Sequence, residues 1–429
     1  MSILILHTKN LSRRRHLART RAFSAARGER AILVMKDPTW EQEYVDRVVV
    51  ADTTSIDETL RAVQAVVDSE KEPVRAVVTF AERSIPAVAR VCARLGLPSI
   101  SEETAYLARD KYAMRTAVAG PGAVTQPAFG LATDLEAARR EADRIGYPLV
   151  LKPFIGTGSM FVRSVENDRE LEEHFETFRR GAWEGFTIDP LHDAAHTQYA
   201  GALLMEEFVG GPEISVESLV VDGRTITLGI HDKPLPTGPT FEEVYACTPT
   251  RLPADVVAQV EAATAAVHGA LNITTGATHV EFRLRNGREP VLLEAAARMG
   301  GGPIYRSVQL STDIDLVDAV LHLAYGEDPD VAPPMAATPV GFWNIFPDEA
   351  GTLTEVEGVD AATRDPRVHE IEIYKQPGDF LQVPPRTFQG HGHVVFSADR
   401  TDQLDEVFAE LVATIRLRTK IDSLDGSRS

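Results

Sequence analysis

Residues 279–298, HVEFRLRNGREPVLLEAAAR, hold the densest chemistry in this chain. Two runs of alternating polarity flank Asn286-Gly287, a dipeptide that favours a two-residue turn because both positions tolerate positive φ. With those two residues as the loop, Leu284 faces Glu289 and His279 faces Glu294. One face of the hairpin then carries Val280, Phe282, Leu284, Val291, Leu293 and Ala295 and reads as core. The other carries His279, Glu281, Arg283, Leu292, Glu294 and, if the strand continues, Ala296 and Arg298. Glu281 and Glu294 become diagonal neighbours about 7 Å apart. Carboxylates that close repel unless a cation lies between them, and an oxygen-loving divalent ion such as Mg²⁺ (or Mn²⁺) meets that need. The same residues also suit a solvent-facing ribbon with Glu281–Arg283 and Glu294–Arg298 ion pairs, and a slip of one residue would bury both acids.

A second candidate is Lys152 with Gly156-Thr157-Gly158-Ser159. The glycines let backbone amides approach an anion, the hydroxyls of Thr157 and Ser159 add donors, and a lysine at a strand end supplies a point charge for phosphate. The P-loop pattern GxxxxGK(S/T) is absent, and a plain turn accounts for the glycines equally well. A third candidate is Glu206-Glu207-Phe208-Val209 with Glu213: a strand end and glycine bend whose backbone can read an adenine edge, and an acid for ribose hydroxyls. An ordinary edge strand with exposed acids is the competing account. Lys111 follows Asp110 at the start of a helix.

These residues need a scaffold. In the first hundred positions, apolar runs at 3–6, 31–35, 48–50 and 76–80 alternate with helical patterns such as Ile56-Leu60-Val63-Val67. That alternation predicts a parallel sheet covered by helices. No GxGxxG follows the first strand, which argues against a dinucleotide site. Further on the spacing predicts a helix over 134–145, strands over 148–151, 203–208, 213–221 and 225–231 (the last two split by Asp222-Gly223), and a helix over 254–271. Residues 327–338 read as a linker, 404–415 as a helix, and 422–429 as a frayed end.

The chain has 429 residues and a formal net charge of −19, which disfavours nucleic acid or an anionic membrane as partner. Two distant cysteines, Cys92 and Cys247, fit a reducing cytoplasm. The opening SILILH is too short for a signal peptide, and no stretch approaches a membrane span.

In order, Lys111, Lys152 with its glycine loop, the 206–209 bend, Glu213, Glu281, Glu294 and Arg298 resemble the ATP-grasp superfamily over about 109–327. The run Glu294-Ala295-Ala296-Ala297-Arg298 resembles the L-amino-acid ligases within it, as does, more loosely, 390–397. Ala296 stands where the wider family usually has a metal-binding asparagine.

The resemblance implies an α/β N-terminal domain (1–108), two α+β ATP-grasp lobes (109–205 and 206–330), a small mixed α+β C-terminal domain (331–420) and a tail (421–429). It further implies that Lys111, Lys152 and Gly156–Ser159 hold the ATP phosphates, residues 206–209 bind adenine, and Glu213 binds ribose. Glu281 and Glu294 would ligate two Mg²⁺ ions, and Lys152 and Arg298 would be catalytic. The expected reaction is ADP-forming ligation of a carboxylate to an amine, such as a second amino acid, through an acylphosphate. A purine-pathway ligase, a carboxylase and a non-catalytic nucleotide-binding regulator are the alternatives. Substrate contacts are expected from His231, Lys233, Arg298, Gly300, Gly301, Gly302 and Arg306, with the loop 234–239 as cover and His279 as a hydrogen-bonding partner near Glu281. A homodimer is among the assemblies that similar enzymes form.

Overall fold

Four short apolar runs at the N-terminus offer no polar face to water, so they are stable only with both faces covered. In the computed structural model, which describes residues 1–70, 72–120, 124–156, 158–235, 239–384, 386–387 and 390–420, they become β1 (Ser2–Leu6), β2 (Arg30–Met35), β3 (Arg47–Val50) and β4 (Val74–Val78). All are parallel, in the order β3-β2-β1-β4. The helices α1 (Arg14–Ala26), α2 (Ile56–Ser69) and α3 (Ile85–Leu95) cover them. Leu4, Leu6, Ile32 and Val34 pack with Val63 of α2 and Val88 and Val91 of α3. Ile3, Ile5 and Leu33 share the opposite core with Leu17 and Phe23 of α1 and with Leu219, Leu228 and Leu316 far along the chain. One continuous core thus ties this domain to the rest of the molecule.

Next come α4 (Glu102–Leu107) and α5 (Lys111–Val118). Asp110 caps α5 by accepting from the Tyr112 and Ala113 amides at 3.0 and 2.9 Å. A second sheet, in the order β5-β8-β6-β7, is built from β5 (Phe129–Ala132), β6 (Leu149–Lys152), β7 (Arg163–Val165) and β8 (Leu203–Glu207). It carries α6 (Leu135–Ile145), α7 (Asp168–Glu184) and α8 (His192–Tyr199).

The remaining chain supplies β9 (Glu213–Val221), β10 (Arg224–Leu235), β11 (Tyr245–Thr248), α9 (Ala254–Ala270), β12 (Gly276–Arg285) and β13 (Glu289–Ala296). The chain continues through α10 (Ile304–Thr312), α11 (Leu316–Ala324), β14 (Val340–Asn344), β15 (Gly351–Glu357), α12 (Val359–Thr363) and β16 (Val368–Ile373). It ends with β17 (Phe380–Leu381), β18 (Gly392–Ser397), α13 (Leu404–Thr414) and β19 (Arg416–Lys420). Eight of these strands form one sheet, β13-β12-β9-β10-β11-β14-β18-β16. The C-terminal segment is therefore no detached unit: three of its strands extend the sheet that carries the acidic hairpin. A small sheet, β17-β15-β19, stands apart. Among the described residues no helix is long and apolar enough to cross a membrane. The tail 421–429 lies outside the described residues.

The hairpin forms with a different register from the one expected. Asn286 and Gly287 have φ of 54° and 72°, as a tight reversal requires, but Arg288 also belongs to the loop because Arg285 pairs with Glu289. A bulge then inserts Leu293, so that Phe282 pairs with Leu292 and Glu281 with Glu294. Leu292, expected on the site face, is therefore buried in the core, and Leu293, expected in the core, lines the cleft. The longer loop flips the alternation and the bulge flips it back, which leaves the two acids directly opposite on one face.

Candidate active site

Glu281 and Glu294 face each other across β12 and β13, and each is met by a lysine from elsewhere. Lys111, the first residue of α5, donates to Glu294 Oε1 at 3.0 Å and to the Gly156 carbonyl at 3.4 Å. Lys233, near the end of β10, bridges Glu281 Oε1 at 2.7 Å and Glu213 Oε1 at 2.8 Å. Burial disfavours both charges here, yet Lys233 and His279 hold the Glu281 carboxyl well below its ordinary range, and Glu213 and Glu281 hold Lys233 well above its own. The ion pairs differ from the Glu281–Arg283 and Glu294–Arg298 alternative: Arg283 pairs with Glu213 at 3.1 Å and Arg298 with Glu82.

The pair fits a divalent ion in part. It offers two carboxylates on one face with displaceable cations, which suits an oxygen-preferring ion. Ala296, buried opposite His279, adds no oxygen, so phosphate and water must complete the shell. Among the described residues, three ligand atoms within 4.8 Å of one another occur at Glu370, Glu372 and His393, where Arg15 already pairs with Glu370 at 2.7 Å.

Beside the acids lies a cleft of about 710 Å³, lined by Lys111, Lys152, Phe208, Val209, Phe241 and Leu293 among others. Lys152 ends β6 and pairs with Glu206 at 2.7 Å, while Arg115 of α5 grips the same carboxylate at 2.9 and 3.2 Å. All three are buried. Burial, offset only in part by Glu206, lowers Lys152 to about 8. The Glu206 carboxylate is thus committed to anchoring two cations. Glu207 is held by Arg285 at 2.7 Å. The Arg283 guanidinium lies 5.1 Å from the Phe208 and Phe241 rings and donates to the Val209 carbonyl at 3.2 Å. Flat apolar walls, backbone edges, an acid and two lysines in sequence suit a purine nucleotide. Two glycines permit this packing: a Cβ on Gly211 would sit 2.1 Å from the Leu284 carbonyl oxygen, and one on Gly156 2.8 Å from the Phe186 ring.

A second, larger cavity of about 1340 Å³ meets the first at Ser159, Phe241, Glu281 and Glu294. The loop after β1, the turn after β4, and Arg298, Gly301 and Gly302 line it. Arg298 is placed by Glu82, which also lies 3.4 Å from Arg109. Burial and the nearby Arg13 charge lower the Arg298 guanidinium to about 9. His279 bonds Glu217 through Nδ1 and Glu281 through Nε2, the latter at 3.2 Å. Glu217, fully buried, also accepts from the Gly300 amide at 3.1 Å.

Three expectations do not lead into these cavities, and a fourth does so with its charge already paired. His231 is covered by α10, where its Nε2 meets Ser307 Oγ at 2.7 Å, because that helix lies across the β10 portion of the site face. Arg306 turns away toward Gln309 at 2.7 Å and Glu370 at 3.7 Å. Gly300 is buried as a backbone tie rather than a wall. Lys233 lines the larger cavity, but its charge is spent on Glu213 and Glu281. Thr157 and residues 236–238 lie outside the described residues. The sequence reading passed over Arg13, Glu82, Arg115, Glu217 and Phe241. For Glu217 a signal existed: it alternates with Glu213 and Ser215 along β9, the period that puts three side chains on one face.

Comparison with known proteins bears on the fold that carries this site. An ATP-grasp domain profile matches residues 145–306, an ATP-grasp N-terminal domain profile 23–99, and the profile of L-amino acid ligase C-terminal domain 2 matches 344–420. Alanine–anticapsin ligase of Bacillus subtilis is 28% identical over 269 residues, which is 60% of this chain and 55% of that enzyme, so the alignment spans little more than half of that relative. An L-arginine-specific L-amino acid ligase of the same species is 21% identical over 81% of each chain. The crystal structure of an L-amino acid ligase from Bacillus licheniformis superposes with a TM-score of 0.80 over 98% of both chains, at 21% identity.

Proposed function

We propose that this chain, an ATP-grasp protein similar to the L-amino-acid ligases, joins the carboxylate of one small molecule to the amine of another, an amino acid, with conversion of ATP to ADP and phosphate. The observation that carries the reading is the position of Glu281 and Glu294, where a nucleotide-shaped cleft meets a second cavity of mixed charge.

The adenine lies between the 206–209 bend and Leu293, with Glu213 at the ribose and Lys111 and Lys152 at the phosphates. Glu281 and Glu294 would hold Mg²⁺, which would supply charge neutralisation at the phosphates. The donor carboxylate attacks the γ-phosphorus from the larger cavity and ADP leaves, giving an acylphosphate. The amine then attacks the acyl carbon and phosphate departs. Two anions meet in the first step, so the barrier falls mainly through positive charge fixed in advance, here Lys111, Lys152 and Arg298. Lys111 balances Glu294 in this structure, and a divalent ion held by Glu281 and Glu294 would take over that role and leave Lys111 to the phosphates. Gly156, Gly158 and Ser159 line the two cavities where they meet, and this wall keeps water from the acylphosphate.

The test is incubation with ATP, Mg²⁺ and pairs of amino acids, with nucleotide products and phosphate measured and amides sought by mass spectrometry. Amino-acid-dependent ADP and phosphate in step with an amide supports the reading. AMP with pyrophosphate would contradict it, and tight ATP binding with no turnover on any pair would favour a regulator.

A further inference from the structure

Among the groups that line the larger cavity, Arg13 stands out by its lack of a counter-charge. It sits in the loop between β1 and α1 and is 3% exposed. Its Nε donates to the Phe80 carbonyl at 3.0 Å, Nη2 to the Gly300 carbonyl at 3.3 Å and Nη1 to the Gly302 carbonyl at 3.5 Å. All three acceptors are neutral. Among the described residues no carboxylate pairs with it, and the ionisable groups that favour its charge are the Tyr305 and Tyr374 hydroxyls. Burial pushes its guanidinium down to about 10. The neighbouring Arg298 adds a second positive charge beside it, and the carboxylate near Arg298, Glu82, is taken up by that arginine. A buried guanidinium without an anion is costly, and three carbonyl bonds leave two of its five N–H groups, one on each Nη, for a further acceptor.

Resting on the ligase reading above, we propose that Arg13 is the binding site for the free carboxylate of the amine-donating amino acid. The other substrate's carboxylate is consumed beside Glu281 and Glu294. An anion site built into the far wall, on the carbonyls of Gly300 and Gly302, serves the carboxylate that persists into product. There is room for it: a Cβ on Gly301 would touch nothing within 4 Å.

The experiment fixes the carboxylate substrate at saturation and offers the best amine substrate of the amino-acid panel as the free acid and as its primary amide. The wild-type protein should show a KM for the acid about 10- to 100-fold below that for the amide, the value of a charge-assisted bidentate contact. Arg13→Met should raise KM for the acid by that factor and leave KM for the amide and for ATP within about 2-fold; Arg13→Lys should recover part of the loss. Equal KM values for acid and amide in the wild type would overturn the assignment, as would an Arg13→Met variant that impairs both equally, the mark of a structural role. If Arg13→Met does not fold, the wild-type comparison decides. Phosphate release that depends on no amino acid would instead sink the ligase reading, and this assignment with it.

Discussion

The two ends of the site handle charge in opposite ways. At the nucleotide end the positive side chains are matched: Lys111 with Glu294, Lys152 and Arg115 with Glu206, Lys233 with Glu281 and Glu213, and Arg283 with Glu213. At the far end Arg13 has only carbonyls, while Arg298 pairs with Glu82 and Arg109 with Asp189. A matched end can be assembled in a folded protein without a ligand and gains little net charge interaction when one arrives, because partners are exchanged rather than created. An unmatched end carries a standing electrostatic cost that an anion of the right shape relieves. The first arrangement suits a large multivalent ligand that brings its own cation; the second suits selection of one small anionic group.

The sharpest way to break this contrast is Glu294→Gln. The amide still accepts from Lys111, so the fold should persist with a melting temperature within a few degrees, while kcat falls by about 10³-fold through the lost metal charge. Near-normal turnover would remove the metal assignment. Glu206→Gln probes the matched end from the other direction. It strands Lys152 and Arg115 in the interior without a counter-charge, and the expected loss is about 3–5 kcal/mol in urea unfolding. A loss below about 1 kcal/mol would show that the pairing at this end is incidental.

The smallest effect is a pH dependence. Lys152 titrates near 8 in the free protein, and bound phosphates favour its charged form. ADP affinity is therefore full below pH 8 and weakens as the pH rises through that value, approaching tenfold per unit until the pKa of the complex is reached. Calorimetric titration between pH 7 and 10 should show this limb in the wild type and not in Lys152→Arg, whose charge persists. The same limb in both would place the titration elsewhere.

Much of this was legible along the chain. The strand–helix alternation of the first hundred residues became the parallel sheet, and Asn286-Gly287 became the reversal that presents the acids. That the two acids share one face was read through an imperfect register, since nothing in local spacing announces the bulge at Leu293; packing of Leu292 into the core accompanies it. His231 misled as part of a polar strand end before a Pro-rich loop and Arg306 as a cation shortly after Glu294, and only the path of α10 turns them away.

Residue type and period by themselves determined the elements, the pair of metal-suited acids and the lysines at strand and helix ends, because these follow from backbone periodicity and side-chain chemistry that act over a few residues. Which cation meets which acid was decided by the tertiary structure alone. Arg13 and Gly302, or Glu82 and Arg298, are brought together across more than two hundred residues by the burial of unrelated apolar faces, and ion pairing is set by distance in space rather than by distance along the chain.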